Sequence, residues 1–433
     1  MKLPFRFAAP IVLAFLCATA LFAFLWWQLA QSTDLLHTEP ITTETPTGVP
    51  AIAGNNITAA TGNKALVHLR QGDLLAVRGD WAGAQAEYVL AVEEGGDLPA
   101  LRKLAQAQLQ RRDMDGVKNT IRKMRNAGAR QQDILLLEST VDLRTGELVR
   151  ARKRLQDAED SPQKHYGLAL INLVQGNHDA TKQDLALVIN GWEPVLRSNA
   201  RTLLAAYDEY ALFDQSPQEH LITLLARALA QVQECELALP LLHQVTSQEQ
   251  DYRDAWIVQG YCELTTERPA QAVVSLEQAY AIDPQKPEIQ YFLGRAYADT
   301  GETENALIFL EYAVANGFEP QADARRELAR EALRGNRTAL ASLQYAALVQ
   351  EEDANLEDFE GLVETSLVLE ENERAEMAAR EAVKRWPERG LAHKLLGKAL
   401  LHTQKTTEGI AELQRALELD PFLTEASELL KNH

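Results

Sequence analysis

The 433-residue chain has little cysteine. Cys17, Cys235 and Cys262 form no C-x-x-C pair, which excludes a disulfide scaffold and a zinc module. Aromatic residues make up 6% while alanine and leucine abound, a balance typical of helical proteins. Basic residues are outnumbered, 43 Lys and Arg against 62 Asp and Glu, for a net charge of −19. That excludes non-specific nucleic-acid binding, which needs Lys and Arg to displace phosphate counterions. Nine histidines are scattered, and no H-E-x-x-H, H-x-x-E-H, G-x-S-x-G or G-x-x-x-x-G-K-[ST] occurs. The sequence therefore predicts no metal, no cofactor and no catalytic constellation.

Charge is absent altogether from Phe7 to Leu29. A helix of these 23 residues would be about 34 Å long, enough to cross a hydrocarbon core of about 30 Å. Lys2 and Arg6 precede it, Asp34, Glu39 and Glu44 follow it, and Trp26-Trp27 stand at its far end. The basic side should stay in the cytoplasm, which places the rest of the chain on the periplasmic side of an inner membrane. A cleaved signal peptide competes with this reading through the A-x-A site Ala18-Thr19-Ala20. The apolar run continues past that site to Trp27, which favours a retained anchor at 1–30. Residues 31–63 are rich in Thr, Pro, Gly and Asn and read as a flexible linker.

The remainder repeats itself. Gly260 and Gly294, Ala272 and Ala306, Leu276 and Leu310, and Ala279 and Ala313 are each 34 residues apart. Such a period, with small and large apolar residues at fixed offsets, marks stacked helical hairpins. Weaker copies run through 64–190. A second subarray spans 219–423, in one register from about Glu219 to Pro320 and irregular beyond it, with a closing helix at 424–433. Residues 191–218, including Trp192, Pro194 and Pro217, do not fit the spacing and read as an extra helix or a degenerate repeat. Asp80 is placed to cap a second helix. Asp283-Pro284 and Asp420-Pro421 are placed to stop one, since proline cannot continue a helix and restricts its predecessor. The expected fold is an all-α solenoid of about ten hairpins.

This pattern resembles the tetratricopeptide repeat family, whose signature is W-x2-L-G-x2-Y, then A-x3-F, then P. Trp256, Gly260, Ala272, Leu276 and Pro284 carry it in one copy, and Leu293, Gly294, Tyr297 and Ala306 in the next. Gln259 and Glu263 depart from it. The resemblance implies a right-handed superhelix with a concave, peptide-binding groove lined by the first helix of each hairpin. Arg227, Tyr261 and Arg295 fall at one such groove position, 34 residues apart, with Tyr291 one helical turn before Arg295. They form a candidate ladder for an acidic or aromatic-containing peptide. Cys235 and Cys262 fall at adjoining ends of neighbouring repeats. They can pair in an oxidising compartment if their Cα atoms approach within about 7 Å; two buried free thiols is the preferred reading.

Anchor, linker and array together resemble membrane-anchored bacterial repeat proteins that act as scaffolds for envelope assemblies. The expectation is a non-catalytic protein that binds proteins or peptides in its groove and the bilayer through residues 7–29. One alternative is a chaperone-like accessory that holds many extended chains weakly. Another is an enzyme with its site at the off-pattern insertion. Charge is also uneven. From Arg102 to Arg154 there are fourteen Lys or Arg against six Asp or Glu, and Glu351 to Glu376 is strongly acidic. The basic segment suits anionic lipid or an acidic partner. The two ends together suit self-association.

Overall fold

Twenty-two helices and no strand make up the described residues, 61–212 and 215–432 of a computed structural model. The expected anchor and nearly all of the expected linker lie outside these residues. Among the described residues no helix is long and apolar enough to cross a membrane.

The helices run in hairpins. Four come first: α1 (Thr61–Val77) with α2 (Trp81–Glu93), α3 (Leu98–Gln110) with α4 (Met114–Asn126), α5 (Gln131–Arg144) with α6 (Leu148–Asp157), and α7 (Pro162–Val174) with α8 (His178–Ile189). A lone helix, α9 (Pro194–Ala211), follows. Six more hairpins pair α10 (Gln218–Gln231) with α11 (Cys235–Gln248), α12 (Arg253–Thr265) with α13 (Pro269–Ile282), α14 (Pro287–Thr300) with α15 (Thr303–Ala315), α16 (Gln321–Arg334) with α17 (Thr338–Leu348), α18 (Leu356–Val368) with α19 (Asn372–Arg385), and α20 (Gly390–His402) with α21 (Thr406–Leu419). Helix α22 (Thr424–Asn432) closes the series. Each helix packs on the next, the one-dimensional logic of a solenoid.

Every hairpin turns through one residue with positive φ. Glycine fills that place at Gly79, Gly146, Gly176 and Gly301; Arg112, Gln233, Glu267, Asn336, Glu370 and Gln404 fill the other six. The turn is a Schellman motif. Glu371 N–H reaches back to the Ser366 carbonyl at 2.8 Å and Glu370 N–H to the Leu367 carbonyl at 3.1 Å, satisfying carbonyls that the helix end leaves free. On the other side of the first turn, Asp80 Oδ1 accepts from Gly83 N–H at 2.8 Å and caps α2.

The sequence-repeated small residues sit where helices meet. A Cβ on Gly260 would stand 2.4 Å from Leu276 Cγ, and one on Gly294 would stand 2.7 Å from Leu310 Cγ. Glycine there lets the two helices of a hairpin close onto the leucine of the second. Ala272, Ala279, Ala306 and Ala313 are fully buried in the same seams.

Helix α9 is the break in the pattern. Its 18 residues begin at Pro194, whose fixed φ suits a first helical position. It buries Ala200, Leu203, Ala206 and Tyr207, and packs on α8 and α10. Beyond it the chain turns back so that α11 touches α5 and α7. Two ion pairs tie α11 back to the first subarray, one to α5 and one to the α3–α4 turn. Arg144 Nε meets Glu234 Oε2 at 3.3 Å, and Arg112 Nε meets Glu236 Oε1 at 2.9 Å, with all four side chains at most 15% exposed. Arg144 Nη1 also donates to the Leu109 carbonyl at 2.7 Å. Burial pushes the Glu234 carboxyl up, and the Arg144 guanidinium opposes it. One apolar core consequently runs unbroken from Leu143 on α5 to Cys262 on α12.

Candidate functional site

The first helices of α10–α11, α12–α13 and α14–α15, together with the end of α9, enclose a cavity of about 430 Å³. Leu224, Ile257, Val258, Tyr261 and Phe292 supply its apolar lining. Tyr261 and Phe292 meet edge to face, with ring centres 5.3 Å apart, the arrangement favoured by aromatic quadrupoles. Charged and polar groups stand beside them. Arg227 Nη2 bonds Glu209 Oε2 at 2.5 Å, with both side chains nearly half exposed. Arg253 bridges Asp254 at 2.8 Å and Asp283 at 2.7 Å, and Lys286 meets Glu288 at 3.3 Å. His220 Nδ1 and the Tyr252 hydroxyl share a hydrogen bond of 2.8 Å, and burial raises the Tyr252 pKa. An apolar, aromatic cavity with a few placed polar groups is the usual form of a recognition site.

The first helices of the last two hairpins are arranged differently. Lys394 Nζ lies 3.1 Å from Glu360 and 2.9 Å from Glu425, and Lys398 Nζ lies 2.8 Å from Glu364 and 2.6 Å from Glu425. These lysines are held from both neighbouring helices. Their charges are answered inside the chain.

Models of the tetratricopeptide repeat match residues 223–287 and 362–423, and a second such model matches 263–326. The matches begin at the cavity and take in most of its lining. These stretches of the chain are tetratricopeptide repeats. No curated protein gives a significant match. Among solved structures, the tetratricopeptide repeat protein YrrB, described as having an unusual peptide-binding site, is 14% identical. It aligns over 44% of this chain and 97% of its own, with a TM-score of 0.40. PilW, described as a widely conserved type IV pilus biogenesis factor, is 15% identical over 50% of this chain and 99% of its own, at 0.38. A thermophilic tetratricopeptide repeat protein from Thermus thermophilus is 18% identical over 48% of this chain and 100% of its own, at 0.31. Repeats of this family typically serve as non-enzymatic scaffolds for protein interaction.

Of the four expected groove residues, two line this cavity and two lie beside it, joined through Phe292, which meets both Tyr261 and Tyr291 edge to face. Arg227 and Tyr261 line the cavity. Tyr291 is 9% exposed and stacks on Phe318 with ring centres 4.0 Å apart. The Arg295 guanidinium lies 5.8 Å from the Tyr291 ring centre. That pair belongs to the packing against α16, where Asp323 and Glu327 lie close by. Phe292, one residue past Tyr291, joins Arg227 and Tyr261 in the cavity lining. Tyr252 and Arg253 just precede or open the same helix as Tyr261, and a search of the first turn of that helix would have found them. Glu209 lies on the off-pattern α9, where no period points.

Cys235 and Cys262 are free thiols with no exposed surface. They lie in side-chain contact, and burial pushes the Cys262 thiol well up. The structure thus has no bridge at this pair. The insertion at 191–218, where the alternative enzyme reading would put a site, contains α9. A cavity of about 290 Å³ beside it is bordered by Tyr166, Asn199, Arg144 and Glu234, but the last two neutralise each other. Among the described residues no three His, Cys, Asp or Glu side chains cluster as a metal site requires.

Proposed function

We propose that the chain is a non-catalytic scaffold of the bacterial inner membrane that grips an extended segment of a partner protein in the cavity of α10, α12 and α14. The observation that carries this reading is the meeting of Arg227, Tyr261 and Phe292 at one apolar cavity with charged walls. Aromatic and arginine side chains in such settings contribute most of the energy of protein interfaces. The uncharged Phe7–Leu29, with Lys2 and Arg6 before it, supports anchoring with the array on the periplasmic side.

A photo-crosslinking residue in place of Tyr261, activated in intact membranes, should capture a discrete partner. Arg227→Glu should reduce that adduct by about tenfold, the equivalent of about 1.4 kcal/mol. An adduct indifferent to Arg227→Glu, or one formed equally from exposed Leu343, would sink the groove reading. Many weak adducts would point to a chaperone-like holder instead. Protease added outside spheroplasts should digest the array; protection would reverse the orientation.

A further inference from the structure

A second concave surface lies away from the cavity, on the N-terminal hairpins. Helices α4, α5 and α6 form a groove of about 590 Å³ with Ile121 and Val141 at its base. Lys118, Arg122 and Arg125 follow one another at four- and three-residue steps along α4, so they share one face of that helix. Arg150 and Arg154 do the same on α6. Between the two basic walls α5 offers Glu138 and Asp142, again one helical turn apart. Each of these carboxylates holds two arginines. Glu138 meets Arg125 at 3.0 Å and also Arg154, while Asp142 meets Arg150 at 2.8 Å and Arg154 at 2.7 Å.

The acids do not exhaust the cations. Five basic side chains line the groove against three acidic ones, the third being Asp115, 3.0 Å from Lys118. Arg150 also reaches Glu147 at the rim, at 3.8 Å. Arg122 donates to the neutral Asn119 at 3.3 Å and is exposed. Lys118, Arg125 and Arg150 are each more than half exposed. Their outward donors are available to a second layer of carboxylates, since guanidinium offers five N–H groups in a fixed fork.

We propose that this groove binds an acidic helix of a partner protein, with carboxylates at i, i+4 and i+7 pairing with Lys118, Arg122 and Arg125 on one wall and Arg150 and Arg154 on the other. Glu138 and Asp142 show the spacing that the arginines accept, because they already present carboxylates one turn apart. The form of the surface selects a helix over a bilayer. The cations stand on the walls of a groove that holds Ile121, Val141 and the α5 carboxylates between them, where a protruding rod reaches all of the cations and a flat plane of headgroups reaches only the rims. A helix laid in a groove is also an established mode of recognition.

The test uses the detergent-solubilised full chain and a fluorescein-labelled, alanine-based helical peptide with Glu at i, i+4 and i+7. Fluorescence anisotropy should show binding that weakens at least about tenfold when salt rises from about 0.05 to about 0.3 M. Arg122→Glu should weaken it by about tenfold. The same peptide with Gln for Glu should not bind, and Arg227→Glu should leave binding unchanged. Equal binding of the Glu and Gln peptides, or indifference to Arg122→Glu in a variant with unchanged circular dichroism, would overturn the proposal. So would a silent peptide beside Arg122-dependent binding of short-chain phosphatidylglycerol, since the groove would then read lipid headgroups.

Discussion

At the scale of single residues, the hairpin turns show how much strain the array tolerates. A left-handed φ costs a non-glycine residue roughly 1–2 kcal/mol, yet Glu267, Glu370 and Gln404 adopt it. The Schellman bonds and the packed helices on either side hold them there. Replacing Glu370 by glycine should therefore stabilise the protein by about 1 kcal/mol, with the higher entropy of unfolded glycine partly offsetting the relief. Urea unfolding of the variant would check this; a lower midpoint would show that the Glu370 side chain contributes more than its backbone strain removes. The same residues explain a limit of the sequence. Four turns announce themselves by Gly79, Gly146, Gly176 and Gly301, and six carry no such mark. Arg227 and Tyr261, which line the cavity, were legible as candidates because the 34-residue period places them. Arg295 satisfies the same period and Tyr291 lies one turn before it, but Tyr291 is buried against Phe318, a contact that periodicity alone does not contain.

At the scale of elements, neighbouring hairpins are joined by a few buried polar contacts as well as by alanine seams. Glu376 on α19 is the clearest. Its carboxylate accepts from Lys405 Nζ at 2.6 and 2.9 Å, from Arg380 Nε at 2.9 Å and from Thr403 Oγ1 at 2.9 Å. These partners, Lys405 foremost, lower its pKa from 4.5 to about 2 in spite of burial. A carboxyl whose folded pKa is depressed stabilises the fold above its unfolded pKa and loses that contribution as pH falls through the folded one. Glu376→Gln should accordingly cost about 2–3 kcal/mol at neutral pH. The gap from the parent should close as pH falls from 4.5 to about 2. Denaturant titrations across that range would measure it, and a gap independent of pH would mean that packing, not charge, sets the cost. The helices themselves were readable from small-residue spacing and Asp-Pro stops. Helix α9 was readable as an extra helix or a degenerate repeat, because Trp192, Pro194 and Pro217 break the period without deciding between the two.

At the scale of the whole array, a solenoid of nearest-neighbour contacts should open piece by piece. This one has a contact that breaks the rule. The pairs Arg144–Glu234 and Arg112–Glu236 join helices far apart in sequence, and no motif forecasts them. They close the second subarray onto the first around a core that is continuous from Leu143 to Cys262. The cavity of α10, α12 and α14 begins within that closed region, with Leu224, Val258 and Tyr261 of its lining packed in or against that core. Removing one member of a buried ion pair leaves the other uncompensated and costs about 3–5 kcal/mol. Glu234→Gln should thus destabilise the protein by that amount, or somewhat less where the amide keeps one bond to Arg144. Native-state hydrogen exchange gives the sharper reading. In the parent chain, amides of α5, α7, α10 and α11 should exchange at one common free energy, above that of α20 and α21. In the variant the α5 and α7 amides should separate from those of α10 and α11. Independent exchange of the two groups in the parent chain would show that the contact is only an accident of packing, and the cavity would then owe its shape to its own hairpins.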